Sequence, residues 1–454
     1  MLSGKHLLWI VLMTIGGLFA AYVTGLPLAV GFSLGLLLLS FYALRGGMQG
    51  RELFPTMVKG ALQTKEVVYI LLLVGLLIPA WTASGTIPYM IHTLLSFIDP
   101  SYFLVCSFIL SAVIAMTLGT STGALSSCIP LIGLGVLLEV PIAYTAGALV
   151  SGAFVGDRTS PLSSAFKLVA ASTGTNAQSQ YKAMWPTTIA ALVISVLFYF
   201  ILDVSHDWGS GITPSVTDEY ASYFTWSPLL LIPPILLIGS IVLRLGVLYA
   251  FIFSILSSVI LGAYLQDISI IQWLSYLVSG YQEGVFPELE SKGLKDMLWL
   301  VVLISLAGAF ISILEYTKAI EKYIRKFIGS SRSMLSSTWR IMLFGTGLNV
   351  VSCTQTLPIM MSGRMVLPIW KEKFEAPQLA RVVADTSQVI AGLVPWNMLA
   401  ILCGMILGVP VVQFIPFAIF LWILPILTLI VSWYYDKRKL GVSNSIKGVT
   451  MKSN

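Results

Sequence analysis

The stretch Gly152 to Ala165, GAFVGDRTSPLSSA, decides how the rest of the chain is read. Asp157 and Arg158 stand side by side between two long apolar runs, with Gly156 before them and Pro161 after. Ionisable side chains at membrane depth persist mainly where they face a polar cavity or one another, so the stretch reads as a site. A second stretch, Ala380 to Asn397 (ARVVADTSQVIAGLVPWN), sets Arg381 and Asp385 about one helical turn apart and closes in Pro395, Trp396 and Asn397. The two are expected to be halves of one site.

Composition fixes the class. With 57% hydrophobic and 10% charged residues, 454 residues carry more apolar surface than a soluble domain can bury, which makes the chain a polytopic membrane protein. The net charge of +6 does not point to nucleic acid, because the basic residues are scattered through short loops and the tail, as a positive-inside bias would scatter them. Cys106, Cys128, Cys353 and Cys403 lie in or beside apolar segments without metal-like spacing, and three histidines make no ligand cluster. No cofactor is expected. The run Leu7 to Thr24 continues through Pro27 into another without a cleavage signal, so it reads as a first transmembrane helix.

Runs long enough to cross the hydrocarbon are Leu7 to Thr24, Leu28 to Leu44, Val67 to Ser84, Tyr102 to Leu118, Met184 to Leu202, Pro228 to Leu243, Val247 to Tyr264, Met297 to Leu314 and Gln413 to Tyr434. Four more are apolar but broken: Thr117 to Val140, Ile142 to Val155, Trp339 to Ile369 and Ala376 to Val409. The expectation is about 11 to 13 membrane segments, counting re-entrant hairpins. Backbone unwound inside a membrane is tolerated only where it lines a cavity or is covered by protein, so four breaks predict a central polar site.

The breaks recur. Gln49 matches Gln282, Phe54-Pro55 matches Phe286-Pro287, and Lys59-Gly60 matches Lys292-Gly293, at offsets of 232 to 233. Gly119-Thr120 matches Gly345-Thr346, Pro130 matches Pro358, Pro141 matches Pro368 and Asp157 matches Asp385, at 226 to 228. Together they read as an internal duplication. The Arg45 to Glu66 connection is basic, while its counterpart, Gln266 to Asp296, carries five acids against Lys292 and Lys295. Asp203 to Trp226 is acidic; Glu315 to Arg340 is basic and its counterpart Thr86 to Ser101 has no Lys or Arg. Matching loops on opposite sides imply inverted repeats, with both termini cytoplasmic in the plasma membrane. The expected layout is an N-terminal repeat over 1–205, an outer connection over 206–227, the inverted repeat over 228–435 and a basic tail over 436–454.

Such repeats with discontinuous helices are the architecture of secondary transporters, whose sites lie near the midplane. Hard cations want several oxygens. The candidates are Thr120, Ser121 and Thr122 on the first break; Asp157, Arg158, Thr159 and Ser160 on the second; Asn349, Ser352, Thr354 and Gln355 on the third; and Arg381, Asp385, Thr386, Ser387 and Asn397 on the fourth. Sodium is expected at Asp157, Asp385 and Asn397. Burial disfavours a charged carboxylate and a neighbouring arginine favours it, a balance that would let one carboxylate exchange a proton for a cation. Each candidate has a bland alternative. Asp157 and Arg158 would also serve as a structural pair at a helix end, hydroxyls often bond back to their own helix, and Arg381 would face the loop that precedes it. Gly119 and Gly345 would serve helix packing instead of unwinding, and His92 and His206 would be solvated in outer loops.

GDRTSPLSS, followed by A-R-x-x-x-D and a closing PWN, resembles the NhaC family of sodium/proton antiporters within the ion transporter superfamily. Gly156, Asp157, Ser160, Pro161, Leu162 and Ser163 agree with that family's first motif, with Arg158 replacing a lysine; Arg381, Asp385, Pro395, Trp396 and Asn397 agree with its second. The resemblance implies a group that includes sodium/proton antiporters and carriers exchanging malate for lactate. Departures stand at Ser164-Ala165, Ala384, Ser387-Gln388 and Ala391-Gly392, where two carboxylates and several hydroxyls of the pattern are gone. The function expected is sodium/proton antiport by alternating access, with no enzymatic activity. The alternative is sodium- or proton-coupled movement of a small organic carboxylate or amino acid held by Arg158, whose guanidinium fork suits a carboxylate; a passive channel is a third reading. Partners are small ions, the bilayer and a second copy in a homodimer.

Overall fold

Inside hydrocarbon every backbone N–H and C=O must be satisfied within its own segment, which leaves helices as the form for runs of this composition. The computed structural model describes residues 4–208, 215–286, 289–317, 329, 331 and 333–450, with the side chains of 4, 215–218 and 439–450 excepted. Among these residues the fold is all-helical. Eight of the described helices are long and apolar enough to cross a membrane, and the bent pair Ala376–Leu393 and Met398–Leu407, folded by 54°, makes a ninth if it counts as one span. Two expected spans differ in detail from the helices found. Pro228 to Leu243 is only the short Pro228–Val242 helix, opening in a 3-10 turn beside Pro228, Pro233 and Pro234. In Gln413 to Tyr434, Pro416 breaks the first turns, and the crossing helix is Ile419–Arg438.

The helices sort into two bodies. One packs Gly4–Thr24, Leu28–Arg45, Gly50–Gln63, Lys65–Ala83, Ile232–Val242, Val247–Leu265 and Leu294–Thr317. The other packs Phe103–Leu118, Ile142–Thr159, Ala177–Val204, Met334–Ser352, Ala376–Val383 and Ile419–Thr450 around the short broken helices. They meet where Thr86–Leu95 lies on Ile129–Leu137 and Ile232–Val242 lies on Ser121–Ser127. In the first body Gly60 lies on the backbone of Gly308, and Gly75 lies against Met297 and Gly293; a Cβ at Gly60 would strike the Gly308 carbonyl.

Matching features stand 230 to 234 positions apart, the caps among them all at 234. Asp203 accepts hydrogen bonds from the Leu104 and Val105 amides at 3.1 and 3.0 Å, and Asp436 accepts from the Met334 and Leu335 amides at 2.9 Å each. Each carboxylate thereby satisfies donors that a helix start leaves orphaned. Gly119 and Cys353 are both left-handed C-caps, Ser163 and Asn397 are both side-chain N-caps, and Gly174 and Gly408 are again left-handed C-caps. In this register Asp157 stands level with Ala391, and Asp385 with Ser151. The sequence pairings at 226 to 228, Asp157 with Asp385 among them, differ from this spacing by six to eight residues, about two helical turns. Pro287, part of one sequence match, and half of the basic Glu315 to Arg340 connection lie outside the described residues, as do 209–214 of the 206–227 connection and the end of the tail.

Candidate functional site: a buried carboxylate among four broken helices

Pro161 drives Ser160 into extended backbone and ends the Ile142–Thr159 helix. Gly156 lets that helix lie directly on Ala115 of Phe103–Leu118. The chain turns back at once, because Ser163 Oγ accepts from the Ala165 and Phe166 amides at 3.1 and 3.3 Å and starts the next helix. The same hydroxyl donates to the Asp157 carbonyl at 2.7 Å. Asp157 is therefore fixed in a last helical turn, 6% exposed.

The other breaks supply its neighbours. Met334–Ser352 ends at Cys353, whose φ of 56° reverses the chain, and this presents Gln355, whose Nε2 donates to Asp157 Oδ2 at 3.1 Å. On the fourth segment Ala384–Gln388 is a π-helical turn, and Gln388 Nε2 donates to Oδ2 at 3.3 Å and to the Asp157 carbonyl at 3.0 Å. Ser163 Oγ reaches Oδ1 at 3.4 Å. Two amides and a hydroxyl surround the carboxylate, and among the described residues no cation pairs with it.

Arg158 points elsewhere. Its Nε donates to Asp385 Oδ1 at 2.9 Å, its NH2 bonds the same oxygen and Thr187 Oγ1 (3.0 Å), and its NH1 donates to Thr188 Oγ1 at 2.7 Å. Arg158 and Asp385 are fully buried, so the interior ion pair is Arg158 with Asp385, not Arg158 with Asp157. Arg381 is 5% exposed and donates to Ser432 Oγ at 3.1 Å, which excludes its loop-facing alternative. Asn349 bridges the Gly345 and Ser387 carbonyls at 3.0 and 2.8 Å, Ser387 Oγ meets Ser362 Oγ at 2.9 Å, and Asn397 caps its helix while touching Asn349 at 3.4 Å.

Several candidates do other work. Thr159 and Thr386 bond back to the Val155 and Val382 carbonyls, Ser160 ties to the Met116 carbonyl, Thr120 caps Gly123, and Ser352 meets the Thr354 carbonyl. Ser121 and Thr122 are buried in the first turn of their short helix. Gly119 does unwind the chain, whereas Gly345 sits inside a continuous helix against Ser387, as its packing alternative has it, and the third break falls at Cys353, among the candidates Ser352, Thr354 and Gln355. His92 is half-buried against Trp226 instead of solvated. Sequence reasoning missed Gln388, Ser163, Thr187 and Thr188 as partners of the charged groups. Thr187-Thr188 directly after Pro186, two hydroxyls in an apolar run, was the available signal.

Gln388 Oε1 and Thr354 Oγ1 are buried without a hydrogen-bond partner, as is Asp385 Oδ2. With the Asp157 carboxylate, the first two are the kind of hard oxygen donor that sodium takes. Among the described residues no group of three His, Cys, Asp or Glu side chains would hold a metal ion.

A family model described as the Na+/H+ antiporter family matches residues 152–434, which span both motifs and all the site residues from Asp157 to Asn397. The chain belongs to the Na+/H+ antiporter family. It is 28% identical over 417 residues to the Na(+)/H(+) antiporter NhaC of Bacillus subtilis (strain 168), covering 88% of this chain and 91% of that protein. It is 26% identical to the arginine/ornithine antiporter ArcD of Halobacterium salinarum (84% of this chain, 81% of that one). A malate-2H(+)/Na(+)-lactate antiporter of B. subtilis is 25% identical, over 86% of each chain. Family and spans together make the chain a multi-pass membrane transporter.

Proposed function

We propose that the protein exchanges sodium for protons by alternating access, with Asp157 as the group that carries one or the other. The observation that carries this reading is the division of labour between the two buried carboxylates. Asp385 is neutralised by Arg158, and removing an ion pair from water is tolerable only with such compensation. Asp157 has amide and hydroxyl donors but no counter-ion, and a lone buried carboxylate persists in hydrocarbon only when protonated or bound to a cation. Both occupants are available at a membrane, and they exclude each other.

The movement between sides is supported by how the halves meet. The Gly60 and Gly308 contact is mirrored by Gly293 and Gly75, with the halves exchanged, and Asp203 on Leu104 is mirrored by Asp436 on Met334. An exchange of that kind is what a twofold relation between repeats produces. Together with the opposite charge of matching loops, it favours inverted repeats, 1–205 and 228–435, with both termini in the cytoplasm. The body holding the four breaks would then expose Asp157 to either side by moving against the other.

Two relatives are carriers of organic solutes by name, which favours coupled transport of a small carboxylate or amino acid as the second reading. Arg158 is ill placed for it, since nearly all its donors are already taken. Arg381 Nε, buried and without a partner, is the donor such a solute would meet. Reconstituted protein with a pH reporter in the vesicle lumen separates the two. External sodium alone is expected to make the lumen alkaline; proton movement only after an organic acid or amino acid is supplied would replace antiport with the second reading.

A further inference from the structure

The Gly50–Gln63 helix has three faces. Leu53, Met57 and Gly60 turn toward Leu294–Thr317, where Gly60 lies on Gly308. Phe54, Val58 and Leu62, one turn apart, are 71%, 39% and 62% exposed. Glu52, Lys59 and Gln63 form an exposed polar edge between the two. A helix with one face on protein, one apolar face open and one charged edge is built to lie in the headgroup boundary of a bilayer. Beside it runs a groove of about 640 Å³ with Phe54, Val58 and Leu62 in its wall and Lys59, Lys65 and Glu66 at its edge. Glu52 is engaged elsewhere, accepting from Tyr316 Oη at 2.9 Å and from the Gln49 amide at 3.2 Å. Among the described residues Arg51, Lys59 and Lys65 make no ion pair.

The molecule carries its own contrast. Ile270–Ser279 also exposes an apolar face, with Ile270 and Ile271 each 80% and Leu274 60% exposed. Yet residues 266–291 contain no Lys or Arg, and Asp267 and Glu283 flank the helix. Equal apolar exposure with opposite charge separates a helix that only lies in lipid from one that also grips headgroups.

We propose that the Gly50–Gln63 helix binds anionic phospholipid, its acyl region on Phe54, Val58 and Leu62 and its phosphate between Lys59 and Lys65, with Arg51 about two turns along the helix adding to the local positive charge. Basic segments at a membrane surface hold anionic lipid in a salt-dependent way. The test is a melting-temperature series on the purified full chain in KCl, so that sodium occupancy and transport do not enter. Phosphatidylglycerol is expected to raise the midpoint more than phosphatidylcholine, and 0.5 M KCl is expected to erase most of that difference. In R51Q/K59Q/K65Q the difference is expected to fall below half, with the phosphatidylcholine value kept; K59Q alone, the milder variant, is expected to lose part of it. K182Q, an exposed lysine on another helix, is expected to leave it intact. A full difference in the triple variant, an equal loss in K182Q, or the same gain from 10 mM inorganic phosphate without lipid would each overturn the proposal. None of these outcomes depends on whether the protein exchanges sodium for protons.

Discussion

At the scale of single residues, Asp157 and Arg158 are neighbours in sequence with unrelated partners. One faces the amides of Gln355 and Gln388; the other is locked to Asp385 and two threonines. Asp157→Asn keeps the shape and hydrogen bonding of the site but cannot exchange a proton. It is expected to fold normally and to abolish sodium-driven proton flux in vesicles. Asp385→Leu strands a buried guanidinium, a defect that costs about 3–5 kcal/mol where a buried pair loses one partner. The double variant R158L/D385L is expected to recover much of the melting temperature lost in either single variant; equal or greater loss would show that the pair stabilises by more than mutual neutralisation. The charged half of this site was legible in the sequence, because an ionisable side chain in an apolar run announces itself. Its uncharged half was not: Gln388, Ser163 and Thr187 look like the many polar residues that only bond their own helices, and only folding distinguishes them.

At the scale of elements, the site exists because helices stop beside it, and three of these stops have a plain local cause. Pro161 ends one, and the left-handed caps at Gly119 and Cys353 end two others. The Pro and Gly breaks could be read directly. Cys353 could not be singled out, since a left-handed cysteine carries no sequence signal, although the interrupted stretch from Gly345 to Thr356 contains it. Asp203 shows how the unbroken elements are held: it serves the Leu104 and Val105 amides and Trp208 Nε1 at 3.1 Å from the end of another helix. Asp203→Ala leaves two buried donors and one half-buried one without an acceptor and is expected to cost about 2 kcal/mol or more, read as a lowered melting temperature. Sodium affinity in the folded fraction should be unchanged, because Asp203 does not touch the Asp157 cluster.

At the scale of the whole molecule, the apolar composition was enough to read a membrane protein and the paired motifs were enough to read its kind, while the recurrence of helix caps 234 residues apart is visible only in the folded chain. The seam between the bodies brings Ile91 against Gly133. A cross-link between cysteines placed at those two positions is expected to halt exchange while leaving sodium binding intact, since it ties one body to the other without reaching Asp157. Transport that continues through the cross-link would mean that the bodies do not move relative to each other there. The central claim, that sodium and a proton compete for one carboxylate, is tested most directly by adding sodium to purified protein in weakly buffered solution and recording pH. A cation that binds a protonated ligand must release its proton. The expected result is acidification by about one proton per site in the wild type, weaker sodium binding as pH falls, and no acidification in Asp157→Asn. Sodium binding without proton release, or equal release by the Asp157→Asn variant, would contradict it.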